Sequence, residues 1–140
     1  MRFSFVIIVI LNAFLLVNCG SKKNTDVSYL QSADEKTSKA PQLNVFVPWK
    51  SSATQLSVLI FVHGGNWSSG WKGTYDLLGR NFASKGVITV IPDYTLSPEA
   101  NYDEMARQIV SVIQWTKKNI SQYNGNPNTI YITGHSAGGH

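Results

Sequence analysis

The stretch that decides the fold is residues 130–140, which read Ile130-Tyr-Ile-Thr-Gly-His-Ser-Ala-Gly-Gly-His140. The β-branched run 130–133 predicts a strand, and the residues after it match the pattern G-x-S-x-G, with Ser136 at its centre. In that pattern a serine occupies a strained turn, and small neighbours let two backbone segments pass closely. Composition alone would produce the pattern in roughly one chain in twenty of this length. The rest of the sequence must therefore decide its meaning.

Strand and helix patterns alternate ahead of this turn. A helix is favoured over residues 74–84, and a longer one follows Asn101, which can cap it together with Glu104. The second helix carries Lys117 and Lys118 near its negative end. Short apolar runs predict further strands at 43–47, 56–63 and 87–92. The alternation predicts an α/β fold with a mostly parallel sheet and flanking helices, whose sites lie beyond the carboxyl ends of the strands.

Two features fall on that carboxyl edge. His63-Gly-Gly-Asn-Trp67 follows one strand, and Ser136 follows another. When a serine attacks a carbonyl group, the carbonyl oxygen becomes an anion, and backbone N–H groups must already point at it. A glycine loop can turn its amides inward without side chains in the way. The two motifs in this order are far more specific than either alone.

The motifs together resemble the amino-terminal half of an α/β-hydrolase of the carboxylesterase and hormone-sensitive-lipase-like group. The similarity is greatest to small esterases such as prenylcysteine methylesterase, kynurenine formamidase and feruloyl or acetylxylan esterase-like enzymes, and it covers residues 43–140. It is carried by His63-Gly-Gly-Asn-Trp67, Asp93-Tyr94 with Leu96 and Pro98, Tyr123-Asn-Gly-Asn-Pro127 and Gly134-His-Ser-Ala-Gly-Gly-His140.

The resemblance implies that Ser136 is the nucleophile and that the backbone amides of Gly65, Asn66 and Ala137 form the oxyanion hole. Asn66 departs from the three-glycine form of the loop, so either Gly65 or Asn66 is the donor there. The alternative role for Ser136 is a structural one at a helix N-cap.

The other polar and aromatic residues near these motifs are expected to support the loops. The resemblance implies that His63 braces the glycine loop and that Asp93 supports the loops, since an α/β-hydrolase triad runs Ser, then Asp or Glu, then His. The alternatives are a general base at His63 and the triad acid at Asp93. His135 and His140 are poorly placed to act as the base. The aromatic residues Trp67, Trp71 and Tyr94 either line a pocket or pack under the loop.

Both the acid and the base are therefore expected after Ser136, outside these 140 residues. We expect the chain to be the amino-terminal part of a serine esterase, truncated after the nucleophile elbow and inactive alone. Its expected substrates are small acyl or aryl esters. The alternative is a non-catalytic, surface-tethered binding protein on the same fold.

The amino terminus predicts export. Residues 1–18 begin with a positive charge and continue as a short apolar run, which is the layout of a signal peptide. The lone Cys19 follows, as in a lipoprotein processing box, so lipidation at Cys19 would anchor the protein to a bacterial cell envelope. An ordinary cleaved signal, for a periplasmic or secreted protein, and an uncleaved anchor helix are the alternatives. Residues 19–40 are polar and predict a flexible tether, and 41–140 form the partial hydrolase domain.

The remaining composition excludes several classes of partner. The formal net charge is +4, but the basic residues are scattered along the sequence without interleaved aromatics, so a nucleic-acid partner is not expected. No metal-ligand cluster and no phosphate loop is present, so no cofactor is implied. The expected partners are a small-molecule ester and a membrane reached through the lipid anchor.

Overall fold

A computed structural model describes residues 20–30, 40–50 and 52–140 of the chain. These residues form a mixed sheet with helices on both faces. The strands are β1 (Ser21–Ser28), β2 (Gln42–Pro48), β3 (Leu56–Val62), β4 (Ile88–Pro92) and β5 (Gly125–Gly134). The α-helices are α1 (Asp76–Ser84) and α2 (Tyr102–Asn119), and single 3-10 turns span Lys72–Tyr75, Ile120–Tyr123 and Ser136–Gly139.

The spatial order of the strands is β1-β2-β4-β3-β5. The neighbours β4, β3 and β5 are parallel, whereas β2 pairs antiparallel with both β1 and β4. Two crossovers with helices connect the parallel strands, as parallel pairing requires. The expected α/β fold is confirmed, with a described sheet that is mixed, because it has two parallel and two antiparallel pairs. The carboxyl ends of β3, β4 and β5 meet at one edge, which we call the site edge.

The core fills both faces of the sheet. One cluster is centred on Val58, Ile60, Val90 and the α2 residue Val112, all fully buried. A smaller cluster around Phe46 lies under α1, where Gly79 gives the ring room that a Cβ would occupy. The central strands are thus covered on both sides, which is why they read as continuous apolar runs.

The helix α2 begins as its sequence predicts. Asn101 is extended and its side chain accepts a hydrogen bond from the Glu104 amide at 2.9 Å. That bond satisfies one of the free amides of the first turn. The last turn carries Lys117 and Lys118 beside the negative end of the helix. No helix among the described residues is long and apolar enough to cross a membrane.

The tether predicted over residues 19–40 is wrong for residues 21–28, which form the edge strand β1. The strand pairs with β2 from Ser21 opposite Pro48 to Ser28 opposite Gln42. Most of its side chains are exposed, so it buries little apolar surface itself. It is stabilised by backbone pairing and by distant partners: Lys23 Nζ lies 2.6 Å from Asp76 Oδ2, and the Tyr29 hydroxyl, just after the strand, donates to the Asp93 carbonyl oxygen at 2.8 Å. The predicted signal over 1–18, lipidation at Cys19 and residues 31–39 of the tether lie outside the described residues.

Candidate active site

Ser136 occupies a sharp turn at the end of β5. Its φ angle is +52°, which is left-handed and unfavourable for a residue with a Cβ, and its side chain is exposed. The turn is closed by a hydrogen bond of 2.9 Å from the Gly138 amide to the His135 carbonyl oxygen. A Cβ on Gly138 would collide with the carbonyl oxygens of Val62 and His63, at the end of β3. The glycine therefore lets the turn pack directly on the neighbouring strand.

The glycine loop after β3 lies against this turn. A Cβ built on Gly64 would lie 2.6 Å from the His135 carbonyl oxygen and 3.1 Å from Ser136 Cβ. Gly64 is buried, and the His135 amide donates to the Val62 carbonyl oxygen at 3.1 Å. The two motifs that the sequence pairs are therefore in direct backbone contact.

The loop turns its backbone sharply just beyond this contact. Gly65 has φ +137° and Asn66 has φ +52°, and the Gly65 carbonyl oxygen accepts from the Ser69 amide at 2.9 Å and the Ser69 hydroxyl at 2.8 Å. Within the described part of the chain, the backbone amides of Gly65, Asn66 and Ala137 donate no hydrogen bond to another loop or side-chain acceptor.

A buried polar network supports the loop from below. The imidazole of His63 is fully buried, its Nδ1 donates to the Gly64 carbonyl oxygen at 2.8 Å, and its ring stacks on Tyr94 at 4.6 Å between centroids. His63 Nε2 lies 3.5 Å from Asp93 Oδ1. The structure thus gives His63 the bracing position and Asp93 the loop-supporting position that the resemblance implies.

Lys72 completes the network, and the sequence analysis did not single it out. Its backbone amide donates to Asp93 Oδ1 at 2.6 Å, and its Nζ lies 2.8 Å from Asp93 Oδ2 and 3.1 Å from Asp26 Oδ1. Only 7% of Lys72 is exposed, and a lysine is almost never buried to this extent unless it is paired. The partners come from β1 and from the end of β4, so no spacing in the sequence could have indicated them.

The network shifts the titration of its members. Burial acts to raise the pKa of Asp93, but the neighbouring His63 and the hydrogen bonds from Lys72 outweigh it, and the pKa lies below its ordinary value. Burial acts to lower the pKa of Lys72, but its bonds to Asp93 and Asp26 outweigh it, and the pKa lies above its ordinary value. Both groups are therefore charged at neutral pH.

The other two histidines also have partners away from the serine hydroxyl. His135 Nδ1 lies 2.7 Å from the Tyr75 hydroxyl, in the 3-10 turn ahead of α1. The ring of His140 meets the edges of Trp67 and Tyr102, at 5.6 and 6.0 Å between centroids. Among the described residues, no side-chain hydrogen bond joins Ser136 to any of the three histidines.

The aromatic residues of the loops divide between two positions. Trp67 and Tyr94 line an apolar cavity of about 210 Å³, together with Met105 of α2 and with Ala137 and Gly138 of the turn. Trp71 lies outside it and is 60% exposed. Trp67 therefore both packs under the loop and faces a cavity beside the serine. No group of three or more His, Cys, Asp or Glu side chains in the described ranges could hold a metal ion.

The sequence matches a family model and is similar to known proteins. The BD-FAE family model matches residues 43–140. A probable isoprenylcysteine alpha-carbonyl methylesterase from Oryza sativa subsp. japonica is 34% identical over 99 residues, which are 71% of this chain and 23% of that protein. A carboxylesterase from Mycobacterium tuberculosis is 35% identical over 85 residues, which are 60% of this chain and 27% of that protein.

Solved structures share the fold. The crystal structure of esterase B from Lactobacillus rhamnosus superposes with a TM-score of 0.74 at 26% identity, over 84% of this chain and 36% of that protein. A thermophilic esterase from Thermogutta terrifontis has a TM-score of 0.71 at 21% identity, over 85% of this chain and 41% of its own length, and shows the fold alone. The chain spans about a quarter of the length of the curated relatives it matches. With its family model covering most of its length and its sheet matching these esterases, the chain belongs to the BD-FAE family of α/β-hydrolases.

Proposed function

We propose that this chain supplies the nucleophile and the oxyanion hole of a serine hydrolase that cleaves carboxylic esters. The observation that carries the proposal is the contact between Gly64 and Ser136, since it brings a loop with free amides against a serine held in a strained turn. Strain of this kind persists only where the surrounding structure enforces it, and it is concentrated at functional sites. Relatives named as methylesterase and carboxylesterase support ester hydrolysis as the reaction.

In the proposed reaction, Ser136 Oγ attacks the ester carbonyl carbon and gives its proton to a general base. The carbonyl oxygen becomes an anion and accepts hydrogen bonds from the amides of Ala137 and of Gly65 or Asn66. The carbon–oxygen bond then breaks, the alcohol leaves with the proton, and water releases the acid from Ser136 by the same route. Removing one such donor costs about 100-fold or more in rate.

The cavity beside the turn favours small apolar substrates. The part of the cavity that the described residues enclose measures about 210 Å³, which is smaller than the roughly 300–1,000 Å³ of pockets that hold drug-sized ligands. Its lining is apolar and aromatic, with Trp67 and Met105 facing Ala137. A short acyl chain or a single aromatic ring matches this volume and chemistry.

The 140 residues alone are proposed to be inactive. His63 is buried in the loop network, His135 bonds Tyr75, and His140 packs on aromatic rings, so none of them is hydrogen-bonded to Ser136. A serine without a base is a weak nucleophile. We propose that an acid and a histidine from a longer polypeptide complete the triad.

We also propose that the protein is exported and held on a bacterial cell envelope by a lipid on Cys19. The support is the sequence pattern of residues 1–19, a positive start and a short apolar run that ends at a lone cysteine. Mass spectrometry of the mature amino terminus tests this, because a diacylglycerol-modified Cys19 is expected there. An unmodified amino terminus at another residue would contradict it.

The nucleophile is tested with a fluorophosphonate probe on a polypeptide of the relatives' length that contains this chain. We expect labelling that maps to Ser136 and disappears in Ser136→Ala, whereas Ser121→Ala, in the 3-10 turn at the other end of the sheet, keeps it. A folded protein that is not labelled would support the non-catalytic binding protein instead.

The inactivity of the 140 residues is tested with a short-chain p-nitrophenyl ester. We expect no turnover above that of Ser136→Ala. Turnover by the 140-residue chain that Ser136→Ala abolishes would contradict this part of the proposal.

A further inference from the structure

The sheet has a second edge, opposite the site edge, where charge collects. The pairing places Ser21 opposite Pro48 and Leu56 opposite Gly125, so the starts of β1, β3 and β5 and the end of β2 lie together. The ends of α1 and α2 reach the same side, because each helix follows a strand that ends at the site edge and precedes one that starts at the opposite edge. Strands of seven residues at about 3.3 Å per residue separate the two edges by roughly 20 Å.

Exposed lysines are gathered at this second edge. They come from the start of β1, the end of β2, the residue after α1 and the last turn of α2. We call this surface the basic edge, and it comprises Lys22, Trp49, Lys50, Lys85, Lys117 and Lys118.

The described carboxylates belong to the other half of the molecule. They follow strands that end at the site edge, start the helices there, or lie near the end of β1: Asp26, Asp76, Asp93, Glu99, Asp103 and Glu104. Two cations of that half are paired with these carboxylates: Lys72 is buried between Asp26 and Asp93, and Arg107 forms an ion pair with Glu104. The exposed lysines and the carboxylates of the described residues therefore lie at opposite ends of the strands, and the positive end is the one away from Ser136.

Trp49 follows the end of β2 at this edge and is 52% exposed. The ammonium group of Lys22 lies 4.9 Å from the centroid of its indole ring, as a cation–π contact. Indole rings next to lysines are typical of surfaces that contact lipid headgroups, where an apolar body and a polar end both find partners.

The amino-terminal segment enters the fold at the same edge. The Trp49 amide donates to the Gly20 carbonyl oxygen at 2.9 Å, and β1 begins at Ser21. Only Gly20 separates Cys19 from the first residue of the sheet. A lipid on Cys19 would hold this edge directly against the headgroups, without the slack of a tether.

We propose that the basic edge docks on the anionic phospholipid headgroups of the membrane that holds the protein, with the serine facing away from the bilayer. Three features favour anionic headgroups as the partner of this surface: its exposed lysines, the exposed indole of Trp49, and the entry of the amino-terminal segment at the same edge. The proposed lipid on Cys19 is what brings the basic edge to the membrane, so the docking proposal rests on that attachment. It does not depend on ester hydrolysis.

Quenching of Trp49 fluorescence by brominated lipids tests this on the full chain. We compare vesicles of phosphatidylcholine alone with vesicles that also contain phosphatidylglycerol. Quenching is expected only with the anionic lipid and should be lost in 1 M NaCl, which screens charges beyond about 3 Å. The quenched component should vanish in Trp49→Phe and persist in Trp71→Phe, since Trp71 is an exposed indole at the site edge.

Charge variants separate docking from anchoring. Neutralising one lysine near an anionic surface should weaken docking by about fivefold, so Lys50→Gln should lower the salt concentration at which quenching is lost. Arg107→Gln, which removes an exposed cation near the start of α2, should leave it unchanged.

Three results would overturn the proposal: protein that sediments with vesicles without quenching of Trp49, equal quenching in both lipids, or tighter binding to a short DNA duplex than to the anionic vesicles. Protein that stays in the supernatant contradicts the lipid attachment, and docking is then measured by adding excess vesicles. Thermal unfolding confirms that each variant is folded.

Discussion

Lys72 binds both carboxylate oxygens of Asp93, its backbone amide 2.6 Å from Oδ1 and its ammonium nitrogen 2.8 Å from Oδ2. The pair lies beneath the glycine loop, next to His63, and joins the end of β4 to the 3-10 turn ahead of α1. It fixes the position of the loop that carries the proposed oxyanion amides.

Asp93→Asn should therefore destabilise the fold by about 2–3 kcal/mol, because it removes one of the two charges that compensate a buried lysine. The measurement is urea unfolding followed by circular dichroism. Glu99→Gln, an exposed carboxylate on the same edge, should change the free energy of unfolding by less than about 0.5 kcal/mol. Equal effects of the two variants would show that the pair has no special role.

The same pair predicts how stability depends on pH. Asp93 has a pKa below its ordinary value of 3.8, so its stabilisation is complete above that value and is lost as pH falls through the lower, folded pKa. Lys72 has a pKa above its ordinary value of 10.5, so its stabilisation is complete below that value and is lost as pH rises through the higher, folded pKa. The difference in unfolding free energy between the native chain and Asp93→Asn should be constant from about pH 5 to 9 and shrink in acid. A difference that grows below pH 4 would contradict the assignment.

Gly64→Ala should separate the glycine loop from the serine. A methyl group there meets the His135 carbonyl oxygen at 2.6 Å, so one of the two backbone segments must move. We expect a loss of about 1–3 kcal/mol in stability and at least a tenfold slower fluorophosphonate labelling of Ser136 in the longer polypeptide.

The control for this variant is Gly86→Ala. Gly86 has φ +88° with nothing near its Cβ position, so alanine there strains the backbone far from the serine. It should lower stability without slowing the labelling. Slowed labelling in both variants would mean that general destabilisation, and not the contact with Ser136, controls reactivity.

Tyr75→Phe should remove one hydrogen bond from the turn that holds Ser136. The hydroxyl lies 2.7 Å from His135 Nδ1, while the ring packs on Phe61 at 4.8 Å between centroids, and phenylalanine keeps that packing. We expect a loss of about 0.5–1 kcal/mol in urea unfolding. Tyr131→Phe, on the exposed face of β5, should have no measurable effect. An unchanged stability in Tyr75→Phe would show that the hydroxyl contributes nothing.

The site motifs were predictable because they are local. Gly134 to Gly138 and the His63 loop are short stretches whose residue types are dictated by a tight turn and by close backbone approach, and these requirements are visible in the sequence. The buried strands β3 and β4 were predictable as well, because burial on both faces leaves a continuous apolar run.

The strand β1, the role of Lys72 and the basic edge could not be predicted from the sequence, because each depends on residues that are distant along the chain. β1 is polar and mostly exposed, and its stabilising contacts join residues 53 and 64 positions apart. Nothing in the sequence around Lys72 distinguishes it from a surface lysine, because its partners Asp26 and Asp93 come from β1 and from the end of β4. The basic edge is likewise scattered along the chain, and only the strand directions bring Lys22, Lys50 and Lys118 to one side.

The folding of β1 onto the sheet has its own test at Tyr29, which is 5% exposed and donates to the Asp93 carbonyl oxygen. Burial, followed by the charges of Asp93 and Glu104, raises the pKa of this phenol well above its ordinary value, so it stays a hydrogen-bond donor through the alkaline range. Tyr29→Phe should cost about 1–2 kcal/mol, because the part-buried Asp93 carbonyl oxygen loses this partner while the ring still packs. Tyr102→Phe, 55% exposed at the start of α2, is the matched control and should be neutral.

Hydrogen exchange gives an independent test of β1, since its amides paired to β2 should be protected in the native chain and exchange faster in Tyr29→Phe. Amides of 21–28 that exchange at the rate of an unfolded peptide would restore the flexible tether and, with it, the slack between Cys19 and the sheet.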